Sequence, residues 1–300
     1  MKLDTLIENA TRYNGKVVAV AAAEDEEVIE AVQLALKQNI ASFLLFGNET
    51  EIKSLLTKHG IERNEHITIH HANTQDRAAE LAVKAVSSND ADILMKGNIP
   101  TSTILKAVLN KDYGLRTGSV LSHVAAFEVA DFEQLLFVTD AAMNIAPTLA
   151  EKAQIVQNTV NVANSIGITT PKVAPIAAVE VVNPNMQATL DAAILSQMQK
   201  RGQIKGCIVD GPLALDNAVS MNAAEHKGIT GEVAGQADIL LVPTIEVGNV
   251  LYKSLIYFAK AKVGAMIAGA KAPIVLTSRA DSAESKLYSL ALAVCSVANK

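Results

Sequence analysis

Short apolar runs alternate with longer amphipathic stretches along the chain. After Lys16, the run to Ala22 (KVVAVAA) is apolar at every position, the pattern of a strand buried on both faces. Glu24–Gln38 follows, with Val28, Ala31, Val32, Ala35 and Leu36 at helical spacing. Ser42–Phe46, Ile67–His71 and Asp92–Met95 read as further strands, and Glu49–His59 and Thr74–Val86 as the helices between them. This alternation predicts a parallel sheet with helices on both faces.

The rhythm changes after Asn110. Ser119–Phe127 and Gln134–Thr139 are strands too close together for a helix between them, so they are expected to pair antiparallel. Alternation then resumes, with strands at Val173–Ala178, Gly206–Asp210, Ile239–Val242, Ala265–Ile267 and Ile274–Thr277. Helices are predicted at Thr148–Ile166, Asn185–Lys200, Gly248–Ala261 and Ser282–Ala298. The break near Gly114–Gly118 (GLRTG) marks the expected domain boundary, and no long Pro/Ser linker separates the halves.

Composition narrows the class. A chain of 300 residues with 50% hydrophobic and 19% charged side chains is long enough for about two folded domains. A net charge of −5 argues against coating nucleic acid. Without Trp, and with six Phe and five Tyr scattered, there is no stacking platform for single strands. Cys207 and Cys295 stand alone, which suits a reducing compartment. The first residues lack an apolar signal region, and no apolar run reaches the ~18 residues of a membrane span. The expected setting is the cytoplasm, with no membrane and no nucleic-acid partner.

In open α/β sheets ligands bind beyond the carboxyl ends of the strands, near helix N-termini. Three such junctions carry chemistry. After Asp92–Met95 come Lys96, Gly97, Asn98, Ile99, Pro100, Thr101, Ser102 and Thr103, with Lys106 one turn farther along the helix. A cation, a glycine and three hydroxyls at a helix N-terminus suit phosphate; the alternative is ordinary capping by Thr101 or Ser102, which would need only one hydroxyl. After Ile274–Leu276 come Thr277, Ser278, Arg279, Ala280, Asp281 and Ser282. Arg279 alone of six arginines directly follows a predicted core strand, and its fork grips phosphate well. The third junction places Asp210 before Gly211-Pro212, either at a binding mouth or in an ordinary turn. Asp140 after Thr139 is a weaker candidate. His123 reads as a hydrogen-bonded core histidine, and Cys207 as a core residue rather than a nucleophile. His70-His71 has no partners at ligand spacing, so no metal is expected.

In order and spacing, these junctions resemble the phosphate acetyl/butyryl transferase family, with its butyryltransferase branch nearest. The matching stretches are Lys96–Leu109, Leu135–Ile145, Val209–Ser220, Ala234–Lys253 and Thr277–Ser282. The resemblance implies two α/β domains with mostly parallel sheets and an interdomain cleft, related to isocitrate and isopropylmalate dehydrogenases. The C-terminal segment would return to the first domain, giving residues 1–117 plus 270–300 and a second domain over 118–269. The implied reaction moves a butyryl or branched short-chain acyl group reversibly from acyl-CoA to inorganic phosphate. An acetyl donor is the alternative, and a decarboxylating dehydrogenase on the related fold a more distant one. CoA and phosphate would be substrates, with no cofactor. A homo-oligomer is implied, as is a carboxylate kinase taking up the acyl phosphate.

The family's catalytic Ser-Arg pair falls on Ser278 and Arg279, and a further cleft arginine on Lys106, a point charge in place of a fork. Ser285 stands where the relatives carry a proposed base aspartate. Asp281 or Glu284 is then the expected base, or Asp210 from elsewhere. The family's other substrate-binding arginine has no assigned counterpart here.

Overall fold

The computed structural model describes residues 1–13, 15–61, 64–130, 132–276 and 281–298. In chain order the first elements are α1 (Leu3–Ala10), β1 (Val17–Ala21), α2 (Glu26–Lys37), β2 (Ser42–Gly47), α3 (Glu49–Lys58), β3 (Ile67–His71), α4 (Gln75–Ser87), β4 (Ile93–Lys96) and α5 (Thr101–Val108). Next come β5 (Ser122–Glu128), β6 (Leu136–Thr139), α6 (Leu149–Ser165), β7 (Lys172–Pro175), α7 (Gln187–Lys200) and β8 (Ile208–Val209). The short helices α8 (Leu215–Val219) and α9 (Met221–His226) lead to β9 (Ile239–Leu241) and α10 (Ile245–Tyr257). The chain closes with β10 (Lys262–Ala268), β11 (Ile274–Val275) and α11 (Ala283–Ala298). No helix of the described residues is long and apolar enough to cross a membrane.

Two compact units result. One comprises Leu3–Ser119 with Gly264–Lys300, the other Val120–Val263 with Met1–Lys2. In the first, the strand order is β3-β2-β1-β4-β11-β10. All of its pairs are parallel except β10 with β11, where Ile267 faces Ile274. That exception departs from the expected parallel alternation. Only Gly269–Pro273 joins the two strands, too few residues for a crossover helix. In the second unit the order is β5-β6-β9-β7-β8. β5 and β6 pair antiparallel, as their spacing predicts, and the others are parallel.

Strand register is set by the same device in both units. Asp92, just before β4, accepts from Val17 N at 2.9 Å and so ties β4 to β1 at their amino ends. Asp238, just before β9, accepts from Lys172 N at 2.8 Å and ties β9 to β7. Burial pushes the Asp238 carboxyl above its ordinary range, against the pull of that N–H. The helices start where the sequence offers caps: Asp25 accepts from Val28 N, Asn48 from Thr50 and Glu51 N, and Thr74 from Arg77 N.

Three short helices escape the sequence pattern. The first helix, α1, is short and packs against α11, burying Leu3, Leu6 and Ala10. Helices α8 and α9 interrupt what periodicity leaves as a loop. Within the second unit, Lys152 of α6 and Asp191 of α7 meet at 2.6 Å with both side chains only 7% exposed, and Gln187 Nε2 donates to the other Asp191 oxygen at 2.9 Å. Lys152→Met therefore strands a buried carboxylate and is expected to cost about 3–5 kcal/mol in urea unfolding. Pairing it with Asp191→Leu should recover most of that loss.

Candidate active site

In the first unit the strand order reverses direction between β1 and β4, so the loops leaving these two strands flank the point where ligands enter such sheets. The β4 loop folds back onto β1. Gly97 N donates to Ala21 O at 2.8 Å and Asn98 N to Ala22 O at 2.7 Å. A Cβ on Gly97 would lie 2.0 Å from Ala22 O, so only glycine fits. Ala22 itself takes a left-handed backbone, φ 57°. The close approach that Gly97 permits is thus to β1. The Gly97 and Asn98 amides are engaged there, and Gln75 Nε2 holds Asn98 O at 2.5 Å.

Lys96 ends β4 with its side chain buried, 6% exposed, and Nζ donates to Gly97 O at 3.2 Å. Pro100 is the N-cap of α5 and supplies no side-chain hydrogen bond. The capping alternative for Thr101 and Ser102 is therefore not realised. Both residues are exposed in the first turn, and neither hydroxyl is hydrogen-bonded among the described residues. Thr103 and Lys106 face α4 across a groove of about 360 Å³, which Arg77, Glu80 and Tyr113 also line. Glu80 neutralises Arg77 at 2.9 Å and Lys84 at 2.5 Å, and these two cations hold its carboxyl below the ordinary range. Larger cavities lie beside the edge strand β3 and around Gly15 and Ser42, at the amino ends of β1 and β2.

Ser278 and Arg279 lie outside the described residues. Asp281, just before α11, is described. Its carbonyl oxygen accepts from Lys286 Nζ, which also reaches Glu27 Oε2 at 2.9 Å. Ser282 Oγ caps α11 by accepting from Ser285 N at 3.2 Å. Glu284, the alternative base, is drawn toward α1: the Tyr288 hydroxyl stands 3.0 Å from Glu284 Oε1 and 2.8 Å from Asp4 Oδ1. One hydroxyl hydrogen serves these two carboxylates.

The remaining candidates belong to the second unit. Asp140, 2% exposed, takes four hydrogen bonds: from Ala142 and Met143 N at 2.9 Å, Asn144 N at 3.2 Å and Asn144 Nδ2 at 2.6 Å. Its carboxylate organises the turn after β6. Asp210 is half-buried, with Oδ2 2.6 Å from where a Cβ on Gly231 would stand. His123 departs from the hydrogen-bonded reading. It is buried, edge-on to Tyr252 at 5.7 Å, and its Nδ1 has no hydrogen-bond partner. Burial pulls its pKa down, while the nearby Asp140 charge opposes that shift. Burial pushes both thiols, Cys207 and Cys295, up to about 11, as suits inert core residues. Among the described residues no cluster of three metal-ligating side chains occurs.

Sequence reasoning passed over two groups at the carboxyl edge of the first unit. Glu24, after β1, presses Oε2 against Gly47, and that oxygen has no hydrogen-bond partner. Burial pushes its carboxyl up, against backbone amides that favour the charge. Lys286 occupies the buried stripe of α11 with Leu290 and Ala293, four and seven residues on. A lysine at an apolar position of a helical pattern was the signal available for it.

Comparison with known proteins identifies the relatives of the chain. The family model described as phosphate acetyl/butaryl transferase matches residues 2–83 and 67–294. A probable phosphate butyryltransferase of Bacillus subtilis (strain 168) is 62% identical over 295 residues, 98% of each chain. A phosphate acetyltransferase of Thermotoga maritima is 49% identical, covering 97% of this chain and 98% of its own. The crystal structure of a branched-chain phosphotransacylase from Enterococcus faecalis V583 superposes with a TM-score of 0.82 at 38% identity, covering 94% of this chain and 99% of that one.

Gly97→Ala tests the clasp between the β1 and β4 loops. Forcing a methyl into backbone is expected to cost about 1–3 kcal/mol or more in urea unfolding. It should also lower turnover of the protein that remains folded, because Lys96 moves with its neighbour. From the switch-point loops, the polar strand ends and a match spanning nearly the whole sequence, the chain belongs to the phosphate acetyl/butyryl transferase family.

Proposed function

We propose that this chain transfers a short-chain acyl group reversibly from acyl-CoA to inorganic phosphate, giving an acyl phosphate and CoA. The observation that carries the reading is the β1–β4 switch point. There a buried lysine and an uncapped helix turn with free hydroxyls are offered to an anion. A phosphate oxygen attacks the thioester carbonyl, a tetrahedral oxyanion forms, and the C–S bond breaks to release CoA. Lys96 with Thr101, Ser102 and Thr103 holds phosphate, and Gly97 and Asn98 set the loop that carries them. Lys106, in the α4–α5 groove, supplies a more distant cation. Arg279 and Ser278 stabilise the oxyanion, and Asp281 accepts the thiol proton in the reverse direction. Asp210 is the second candidate for that proton. Asp140 acts by shaping the β6 turn.

CoA and phosphate are substrates in this scheme, and no cofactor enters it. The resemblance further supports a homo-oligomer and a carboxylate kinase that consumes the acyl phosphate. The cytoplasm is the setting we propose, in keeping with two buried free thiols.

Arg279→Ala is expected to lower turnover about a hundredfold or more, since one lost oxyanion donor costs on that scale. Arg279→Lys should restore only part, because an ammonium lacks the fork. A folded Ala variant with nearly full activity would overturn the assignment of roles.

For the donor, we expect butyryl- or isobutyryl-CoA to exceed acetyl-CoA in kcat/KM, the advantage being about 1–3 kcal/mol per accommodated methylene at most. Thiol release with acetyl-, butyryl-, isobutyryl- and octanoyl-CoA at fixed phosphate measures it. A best rate with acetyl-CoA would favour the second reading, a phosphate acetyltransferase like the Thermotoga relative. Absence of phosphate-dependent release from all four would end the proposal.

A further inference from the structure

Lys286 is a costly residue for stability alone. It lies near the start of α11, 2% exposed. Its ammonium bridges two elements: Glu27 Oε2 in the first turn of α2, at 2.9 Å, and the carbonyl oxygen of Asp281 ahead of α11. Removing an ammonium from water is expensive even when it is paired. The compensation here is incomplete, because the Glu27 side chain is 50% exposed and shares its charge with solvent. The location is also electrostatically wrong for a cation, since helix N-termini favour anions and both α2 and α11 begin here. An apolar side chain would fit the stripe that Lys286 shares with Leu290 and Ala293.

We infer that Lys286 is a positioning residue of the acyl-transfer site, fixing Asp281 against the first turn of α2. The inference rests on the reaction proposed above and adds to it a residue that carries no role in that scheme. Its logic is connectivity. Asp281 follows Arg279 by two residues, and α2 follows directly from the β1 loop on which Gly97 rests. A bond from one buried ammonium to both joins Asp281 to the helix that leaves the switch-point loop. Acyl transfer depends on such fixed geometry, and the ammonium achieves it without touching substrate.

The experiment compares Lys286→Met, Lys286→Arg and Glu27→Gln. Its readouts are kcat and phosphate KM with butyryl-CoA, melting temperature, and hydrogen–deuterium exchange of the amides of Ser282–Lys286. Lys286→Met is expected to lower kcat about a hundredfold with phosphate KM nearly unchanged, because misplacement by an ångström costs on that scale. Its amides at 282–286 should exchange faster. Lys286→Arg keeps the charge but not the point geometry and should recover only part of the loss. Glu27→Gln leaves the Asp281 contact in place and should cost less in kcat than Lys286→Met.

A folded Lys286→Met enzyme with wild-type kcat and exchange overturns the inference. So does a matched loss in Lys286→Met and Glu27→Gln that merely follows melting temperature, which would make the pair a clamp between α2 and α11. If the Met variant does not fold, Lys286→Arg decides, and wild-type kcat and exchange in it overturn the inference. If wild type itself shows no phosphate-dependent CoA release, the proposed reaction fails, and amide exchange still tests the Asp281 contact.

Discussion

Ala21 and Ala22 offer their carbonyl oxygens to the amides of Gly97 and Asn98, and this pairing carries the β1–β4 ladder past its last strand residues. The chain leaving β4 cannot turn anywhere else. The next residue can be reached only with glycine at 97, because Ala22 O already fills the space of a side chain. Lys96 is then held at the mouth of the sheet, and Pro100 starts a helix whose first turn has no side-chain cap. The same loops set where α2 begins, and through α2 where Glu27 meets Lys286. The phosphate site proposed for the first unit rests on these two backbone contacts.

The alternating part of the fold was legible because buried parallel strands are continuous apolar runs. β1, β2 and β4 stand where Lys16–Ala22, Ser42–Phe46 and Asp92–Met95 predict them. The antiparallel β5–β6 pair followed from its spacing. β10 with β11 did not, since two short apolar runs separated by a few residues look like one more alternation until the connection is measured. Helices α8 and α9, five and six residues long, are too short for periodicity to register. At the site, residue types at strand ends were informative, but side-chain commitments were not. The residue types at these strand ends do not reveal that the Asp140 carboxylate meets four donors in its own turn. Lys286 was hidden because its partners are a backbone carbonyl and a carboxylate 259 positions away.

Charge is distributed in a way that fits anionic ligands on an acidic chain. A net charge of −5 repels phosphate at long range, and solvent ions screen that repulsion beyond about 10 Å. Attraction must then be local and poorly screened. Lys96 meets that condition, more than nine-tenths buried at the carboxyl end of β4. The exposed cations Lys53 and Lys58 are instead paired with glutamates on their own surface, where such pairs add little.

The strand order also has a consequence for synthesis. β11 lies between β4 and β10, yet it is made only after the whole of Val120–Val263 has been synthesised. Until then β4 offers one unpaired, apolar edge on a half-built sheet, the kind of surface that recruits strands from other nascent chains. The intervening unit has its own five-stranded order and can fold first, so the earlier-begun unit finishes last. A chain that ends between Val263 and Ile274 would therefore carry a complete second unit attached to a first one with an open sheet edge, a natural client for holding chaperones.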